Sequence, residues 1–212
     1  MPLQHIKYLG PNTIIGVWHL TEDESFFYSY IDQLVANRDN LKSISHKKRR
    51  TEWLAGRYLS MVLAQQMNLP FKGIWTDEHN KPHLTKRNAH ISLSHATPYV
   101  VVILDTYKYC GIDIERFKDK LKPLAPKFLN ANELESAGDN LVNLTILWGA
   151  KEALYKLHGR RSLLFKDHID IDLGNERAER FQFTGRLDTE DEHEAFDMVA
   201  CRFDNYVIVY TV

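Results

Sequence analysis

The segment YCGIDIE, residues 109–115, decides the fold assignment. Its β-branched and aromatic composition is typical of a strand, and Ile112 and Ile114 share one face that a core can bury. Asp113 and Glu115 are also two residues apart, so a strand presents both on its other face. The sequence therefore predicts a strand with one apolar and one acidic face near the middle of the chain.

The segments on both sides of this strand mix helix and strand patterns. Upstream, we predict strands at 14–20, 71–76, 90–95 and 99–104, a helix at 45–66, and a capping box of Thr21 and Glu24 that starts a shorter helix. Downstream, we predict helices at 121–129, 131–138 and 141–158 and strands at 169–173, 181–187, 195–203 and 206–212. The order lacks strict βαβ alternation, which favours the α+β class.

The composition limits the possible function classes. The 212 residues include 27 basic and 28 acidic ones, a formal net charge of −1, which excludes a highly basic DNA-coating protein and a wholly acidic disordered chain. No stretch approaches the roughly 18 apolar residues of a membrane span, and the first residues lack the features of a secretory signal. Cys110 and Cys201 have no metal-ligand spacing. We expect a cytoplasmic protein of one large domain or two packed halves, without a disulfide scaffold or structural zinc.

Three acidic residues are candidates for a metal site. Two carboxylates side by side on a half-buried strand repel each other, and a hard divalent cation such as Mg²⁺ offsets that cost. The helical segment WGAKEALYK (148–156) adds Glu152, which shares a helix face with Lys156. Simpler explanations stay open: a solvated strand face or a salt bridge to Arg116 for the strand, and a surface ion pair for the helix.

A basic cluster at the predicted helix 45–66 is a candidate for binding an anion. Between residues 42 and 50 the chain carries five bases and no acid: Lys42, Lys47, Lys48, Arg49 and Arg50. Arg57 follows two helical turns later, and the guanidinium fork binds two phosphate oxygens at once. The alternative is a solvated basic helix face. His95, which ends the strand segment SLSH (92–95), could donate to a phosphate or could serve only as a structural polar group.

Together these motifs resemble those of the 4′-phosphopantetheinyl transferases, specifically the larger pseudo-dimeric type that activates siderophore and surfactin synthetases. The family pattern appears in order as RRTEWLAGR (49–57), NKP (80–82), ISLSH (91–95), GIDIE (111–115) and WGAKEALYK (148–156). Asn80 stands where the family favours glycine, and asparagine tolerates the left-handed backbone conformation. The region after residue 160 carries no matching motif.

The resemblance implies a fold and an activity. The fold would be two similar α+β halves packed about a pseudo-twofold axis, with coenzyme A in the cleft between a coenzyme A-binding half (1–106) and a metal-binding, catalytic half (107–212). The enzyme would use Mg²⁺ or Mn²⁺ to transfer the 4′-phosphopantetheine moiety of coenzyme A to a serine of an apo acyl or peptidyl carrier protein, releasing 3′,5′-ADP. We expect a monomer that binds neither nucleic acid nor membrane.

The resemblance also assigns roles to individual residues. Asp113, Glu115 and Glu152 would hold the metal, and Lys151 and Lys156 would contact phosphates, with Lys156 assisting the leaving group. The adenosine 3′-phosphate and neighbouring groups would be bound by Arg49 or Arg50, together with Arg57, Lys81, Ser94 and His95. Either Glu152 or a metal-bound water would take the serine proton, and the sequence leaves both open.

Two other function classes remain as alternatives. A Mg²⁺-dependent phosphodiesterase or nuclease would also use acidic strand residues, but many such nucleases place a lysine two residues after the second acid. Here Glu115 is followed by Arg116 and Phe117. A non-catalytic coenzyme A-binding module would use the basic helix alone and would not require three acids facing an anion.

Overall fold

A computed structural model describes residues 3–34, 39–159, 162–174 and 178–212. The chain divides into two compact units, Met1–Cys110 and Gly111–Val212, whereas the sequence places the boundary between 106 and 107. Each unit combines an antiparallel sheet with helices, so the α+β class is confirmed. Within the described ranges, no helix has the length and apolar character needed to cross a membrane.

The first unit pairs one sheet with one long helix. Its elements are β1 (Leu3–Tyr8), β2 (Thr13–His19), α1 (Glu24–Tyr28), α2 (Ile31–Leu34), α3 (Asp39–Lys42), α4 (Lys47–Gln66), β3 (Ile74–Thr76), β4 (Pro82–Leu84), β5 (His90–Ala96) and β6 (Tyr99–Asp105). The sheet has the antiparallel order β1-β2-β6-β5, and β3 and β4 form a separate hairpin. Helix α4 packs on β2, β5 and β6, and β6 is buried along its whole length. The core of this unit lies between α4 and the sheet.

The second unit likewise packs one long helix on an antiparallel sheet, which here has five strands. Its elements are β7 (Ile112–Arg116), a 3₁₀ helix (Asp119–Leu124), α5 (Ala125–Phe128), α6 (Ala131–Ala137), α7 (Leu141–His158), α8 (Phe165–His168), β8 (Ile169–Asp172), β9 (Arg180–Asp188), β10 (His193–Phe203) and β11 (Tyr206–Thr211). The sheet order is β7-β11-β10-β9-β8. The Asn140 side chain caps the start of α7 by accepting from two backbone amides, and Gly159, with φ 73°, ends the helix in the left-handed region. Helix α7 packs on β7 and β11, which positions its side chains against the GIDIE strand.

The glycine at the start of GIDIE allows a close approach of the chain to α7. A Cβ atom at Gly111 would lie 2.1 Å from the carbonyl oxygen of Ala153. We therefore expect Gly111→Ala to lower the free energy of unfolding by about 1–3 kcal/mol, because α7 must shift to accommodate the methyl group. Urea denaturation measures this change. Gly10→Ala is the matched control, since nothing lies within 4 Å of a Cβ there; equal stability of both variants would contradict the prediction.

Two local predictions are wrong. Thr21 and Glu24 do not form a capping box: α1 is capped by Asp23, whose carboxylate accepts from the Ser25 backbone amide at 3.0 Å. Asp23 directly precedes the helix, so its short side chain reaches the second helical amide without the longer connection from Thr21. The strand expected at 71–76 is shortened to Ile74–Thr76, because Gly73 adopts φ 89° and interrupts the extended backbone.

Candidate active site

Three carboxylates of the second unit form one electrostatically coupled group. β7 carries Asp113 and Glu115, and α7 carries Glu152. Burial raises the pKa of Glu115, and the Asp113 charge raises it further. Burial also raises the pKa of Glu152 to about 7; Lys156 opposes this shift, whereas Asp113 and Glu115 add to it. We call Asp113, Glu115 and Glu152 the acidic cluster, and its members lie close enough to disfavour one another's charge.

Two side chains of α7 contact the acidic cluster. The Lys156 ammonium donates to Asp113 Oδ1 at 2.5 Å, and the Trp148 indole nitrogen donates to Glu115 Oε1 at 3.0 Å. The Lys156 side chain is 28% exposed, whereas the Asp113 side chain is 4% exposed. Lys156 therefore pairs with the buried Asp113 carboxylate of β7, and its charge also acts on Glu152, whose rise in pKa it opposes.

The donor set of the acidic cluster suits a hard cation. Among the described residues, no three or more His, Cys, Asp or Glu side chains lie close enough together to hold a metal ion as they are placed. Asp113 faces Lys156, and Glu115 faces Trp148. The cluster nevertheless supplies only carboxylate oxygens, which Mg²⁺ prefers, and it carries the mutual repulsion that a cation relieves.

The first unit contains a basic pocket of about 440 Å³. Its lining comprises residues 43–46, three residues of α4 and two residues of the β3–β4 hairpin: Arg49, Trp53, Arg57, Thr76 and Asn80. Asn80 adopts φ 61°, and the Asp77 carboxylate accepts from two backbone amides of the same turn. Asparagine therefore takes the left-handed conformation expected of it at this turn.

Arg57 is the most unusual residue of the basic pocket. It is only 4% exposed, its guanidinium carbon lies 3.2 Å from the Trp53 ring centre, and its Nη1 donates to the Trp53 carbonyl at 3.4 Å. Its Nε has no hydrogen-bond partner, and no carboxylate of the described residues pairs with it. Burial lowers the pKa of Arg57 to about 9, because desolvation disfavours the charged form of the guanidinium. A buried cation with an unused donor is suited to an anionic ligand.

Of the alternatives Arg49 and Arg50, Arg50 is engaged by groups of its own unit. Its Nε and Nη2 donate to the Glu24 carboxylate at 2.9 and 3.3 Å. Its Nη1 donates to the carbonyls of Ile44 and Ser45 at 2.9 and 2.8 Å. These bonds use the guanidinium to fix the segment that lines the basic pocket. The adjacent Arg49 lines the pocket itself.

Lys151, which the resemblance places at a phosphate, lies in the core of the second unit. Its side chain is 0% exposed, and its ammonium contacts Glu133 at 2.8 Å. The same ammonium donates to the carbonyls of Phe165 and Ile169 at 2.7 and 2.5 Å. Burial lowers the pKa of Lys151, and Glu133 opposes this shift. All three ammonium hydrogens have partners inside the protein, so a phosphate contact would require the Lys151 side chain to leave these partners.

The remaining candidates lie on the β3–β4 hairpin and on β5. The Lys81 ammonium lies 4.5 Å from the centre of the Tyr109 ring, and burial lowers its pKa. Ser94 is buried on β5. His95 is 46% exposed and its Nε2 lies 3.3 Å from Glu52 Oε2. Lys81, Ser94 and His95 thus stay candidates for contacts with an anionic ligand.

Comparison with protein-family models identifies both units. Residues 109–211 match the 4′-phosphopantetheinyl transferase superfamily, and residues 38–105 match the 4′-phosphopantetheinyl transferase N-terminal domain. The chain belongs to the 4′-phosphopantetheinyl transferase family. The two matches confirm the larger, two-domain type, and the family's domains support phosphopantetheine transfer in general. No curated protein matches the chain.

The superfamily match also covers the region after residue 160, in which the sequence carries no family motif. It continues to residue 211 and so includes β8–β11, which form most of the sheet of the second unit. These strands supply the packing that holds β7 and α7.

The sequence analysis did not single out Glu52 and Glu133. Glu133 has a sequence signal, because Asn130 and Glu133 form a capping box at the start of α6.

Proposed function

We propose that this chain transfers the 4′-phosphopantetheine moiety of coenzyme A to a serine hydroxyl of an apo acyl or peptidyl carrier protein and releases 3′,5′-ADP, with Mg²⁺ or Mn²⁺ as cofactor. The observation that carries the proposal is the acidic cluster with Lys156 against Asp113, in a chain whose two units both match the family. The basic pocket adds support, because a nucleotide substrate brings several phosphate charges.

We assign the basic pocket to the nucleotide end of coenzyme A. Arg57 is a buried cation with an unused Nε donor, and Arg49 adds a second guanidinium at the same pocket. Charge-assisted hydrogen bonds to phosphate are among the stronger polar contacts in proteins. Lys81, Ser94 and His95 would bind neighbouring phosphate groups.

We assign the metal to Asp113, Glu115 and Glu152. The support is the oxygen-only donor set and the raised pKa of both Glu115 and Glu152, which burial causes and to which repulsion from the neighbouring carboxylates adds. Bound there, Mg²⁺ supplies electrostatic stabilisation of the pyrophosphate as its bond breaks. Trp148 would keep Glu115 oriented through its indole hydrogen bond.

Lys156 and the acidic cluster would assist the bond changes of the transfer reaction. The serine oxygen attacks the phosphorus that bears the pantetheine arm, and the bond from that phosphorus to the 3′,5′-ADP oxygen breaks. Lys156 donates to the leaving phosphate, since its ammonium stands at the cluster and is partly exposed. Either Glu152 or a water molecule at the cluster would accept the serine proton; among the described residues, no side chain donates a hydrogen bond to the Glu152 carboxylate.

Carrier-dependent release of 3′,5′-ADP tests this function against the phosphodiesterase alternative. Purified protein is incubated with coenzyme A and Mg²⁺, with and without an apo carrier protein, and the nucleotide products are separated by chromatography. We expect 3′,5′-ADP only when the carrier is present. Release at the same rate without a carrier would favour a phosphodiesterase, and no release with several acyl and peptidyl carriers would contradict the transferase proposal.

Arg57→Met should weaken the affinity for coenzyme A by about 10- to 100-fold, because it removes a charge-assisted hydrogen bond while preserving most of the side-chain volume. Isothermal titration calorimetry with coenzyme A measures the change. Arg186→Met is the matched control, since Arg186 forms an exposed ion pair with Asp170 in the second unit. Unchanged affinity of Arg57→Met would remove the basic pocket from the nucleotide site.

A further inference from the structure

Glu52 is an acid in an unexpected place. It lies on α4 among the bases of RRTEWLAGR, and it is only 8% exposed. Its neighbours Leu54 and Ala55 belong to the core of the first unit. Burying an ionised carboxylate costs several kcal/mol unless it is paired and hydrogen-bonded. The position of Glu52 therefore depends on the groups that surround it.

The partners of Glu52 come from the end of β5 and the residue after it. His95 Nε2 lies 3.3 Å from Glu52 Oε2, and the Thr97 hydroxyl donates to Glu52 Oε1. Within the described ranges, no lysine or arginine forms an ion pair with Glu52. The imidazole of His95 is 46% exposed. The ring therefore links a buried carboxylate to the protein surface.

The contact determines the state of the histidine. A carboxylate only accepts hydrogen bonds, so the ring nitrogen that faces it must carry a proton. The same charge stabilises the doubly protonated ring and fixes its orientation, as acidic partners of histidine do elsewhere. We propose that Glu52 is a positioning residue that holds His95 oriented and protonated for an anionic phosphate of coenzyme A. This inference rests on the proposed function, which places His95 among the ligands of coenzyme A.

The test is a double-mutant cycle read by coenzyme A affinity. Glu52→Gln keeps the size of the side chain but removes its charge, and we expect it to weaken coenzyme A binding about tenfold in titration calorimetry. We expect KM for coenzyme A to rise by a similar factor and kcat to stay within about twofold. His95→Ala should cost a similar factor, and the combined variant should lose no more than His95→Ala alone. A purely structural role of Glu52 would give additive losses.

The control is Glu22→Gln, another carboxylate of the first unit, which accepts from the Trp18 indole. It should leave the affinity unchanged. If Glu52→Gln does not fold by circular dichroism, Thr97→Val removes the hydroxyl that fixes Glu52. That variant should weaken binding two- to fivefold with His95 present and have no effect on top of His95→Ala.

The outcomes separate this inference from the proposed function. A wild-type protein that binds coenzyme A, with unchanged affinity in Glu52→Gln, overturns the positioning role and leaves the transferase proposal intact. Additive losses in the cycle, or unchanged affinity in Thr97→Val where that variant is used, also overturn it. A wild-type protein that binds no coenzyme A contradicts the proposed function itself, and the positioning role falls with it.

Discussion

Asp113→Asn should lower the rate of carrier modification by at least about 10²–10³-fold, the usual loss when one electrostatic group of an active site is removed. The substitution preserves the shape of the side chain but removes the charge that faces Lys156 at 2.5 Å and that would contribute to metal binding. Initial rates of 3′,5′-ADP release at saturating coenzyme A and Mg²⁺ measure the loss. Circular dichroism should show an unchanged fold, because Lys156 is partly exposed and water can solvate its ammonium.

The matched control is Asp188→Asn, which removes an exposed carboxylate paired with His193 in the same unit. It should keep the wild-type rate. If Asp113→Asn retains more than a tenth of the wild-type rate, Asp113 is not part of the catalytic and metal-binding set. The assignment of the acidic cluster would then have to be abandoned.

Lys151→Met should destabilise the protein by about 3–5 kcal/mol, the cost of leaving a buried charge uncompensated. Glu133 would lose its cation while its side chain stays 1% exposed, and the carbonyls of Phe165 and Ile169 would lose their donor. Guanidinium chloride unfolding followed by circular dichroism measures the change. This expectation reverses the role that the family resemblance gives to Lys151.

Two comparisons make this prediction specific. Lys151→Met combined with Glu133→Gln removes both charges and should recover part of the lost stability. Lys122→Met breaks an exposed ion pair with Asp119 and should cost less than about 1 kcal/mol. If Lys151→Met instead has wild-type stability and a weakened affinity for coenzyme A, then Lys151 is a phosphate ligand after all.

The two long helices could be predicted from the sequence within two residues of their observed bounds. Helix α4 begins at Lys47 rather than at 45, and α7 spans Leu141–His158 as predicted. Hydrophobic spacing and the residues that start and stop a helix are properties of the local sequence. They predict the helix correctly when tertiary packing favours the same conformation. The turn at Asn80 was predictable for the same reason.

The partners of individual charged residues could not be predicted in this way. Lys151 and Glu152 are neighbours in sequence, yet Lys151 is buried against Glu133 and Glu152 belongs to the acidic cluster. Successive helical residues point about 100° apart, so only the packing of the helix decides which one faces the core. The same holds for Arg49 and Arg50.

The sequence likewise did not predict contacts between residues that are far apart along the chain. His95 meets Glu52 across 43 residues, and Lys156 meets Asp113 across the same separation. Register and packing of α4 on β5 and of α7 on β7 create these pairs. The motif GIDIE makes Asp113 and Glu115 candidates for the metal site, but it carries no information on the Lys156 ammonium that contacts Asp113.

The mass of an apo carrier protein after incubation tests the central claim most directly. The wild-type chain, coenzyme A and Mg²⁺ are mixed with the carrier, and the intact carrier is weighed by mass spectrometry. We expect a gain of one 4′-phosphopantetheine group, located on a single serine by fragmentation and absent when that serine is replaced by alanine. A carrier whose mass stays unchanged, for every acyl and peptidyl carrier tried and with coenzyme A binding demonstrated in parallel, would contradict the account.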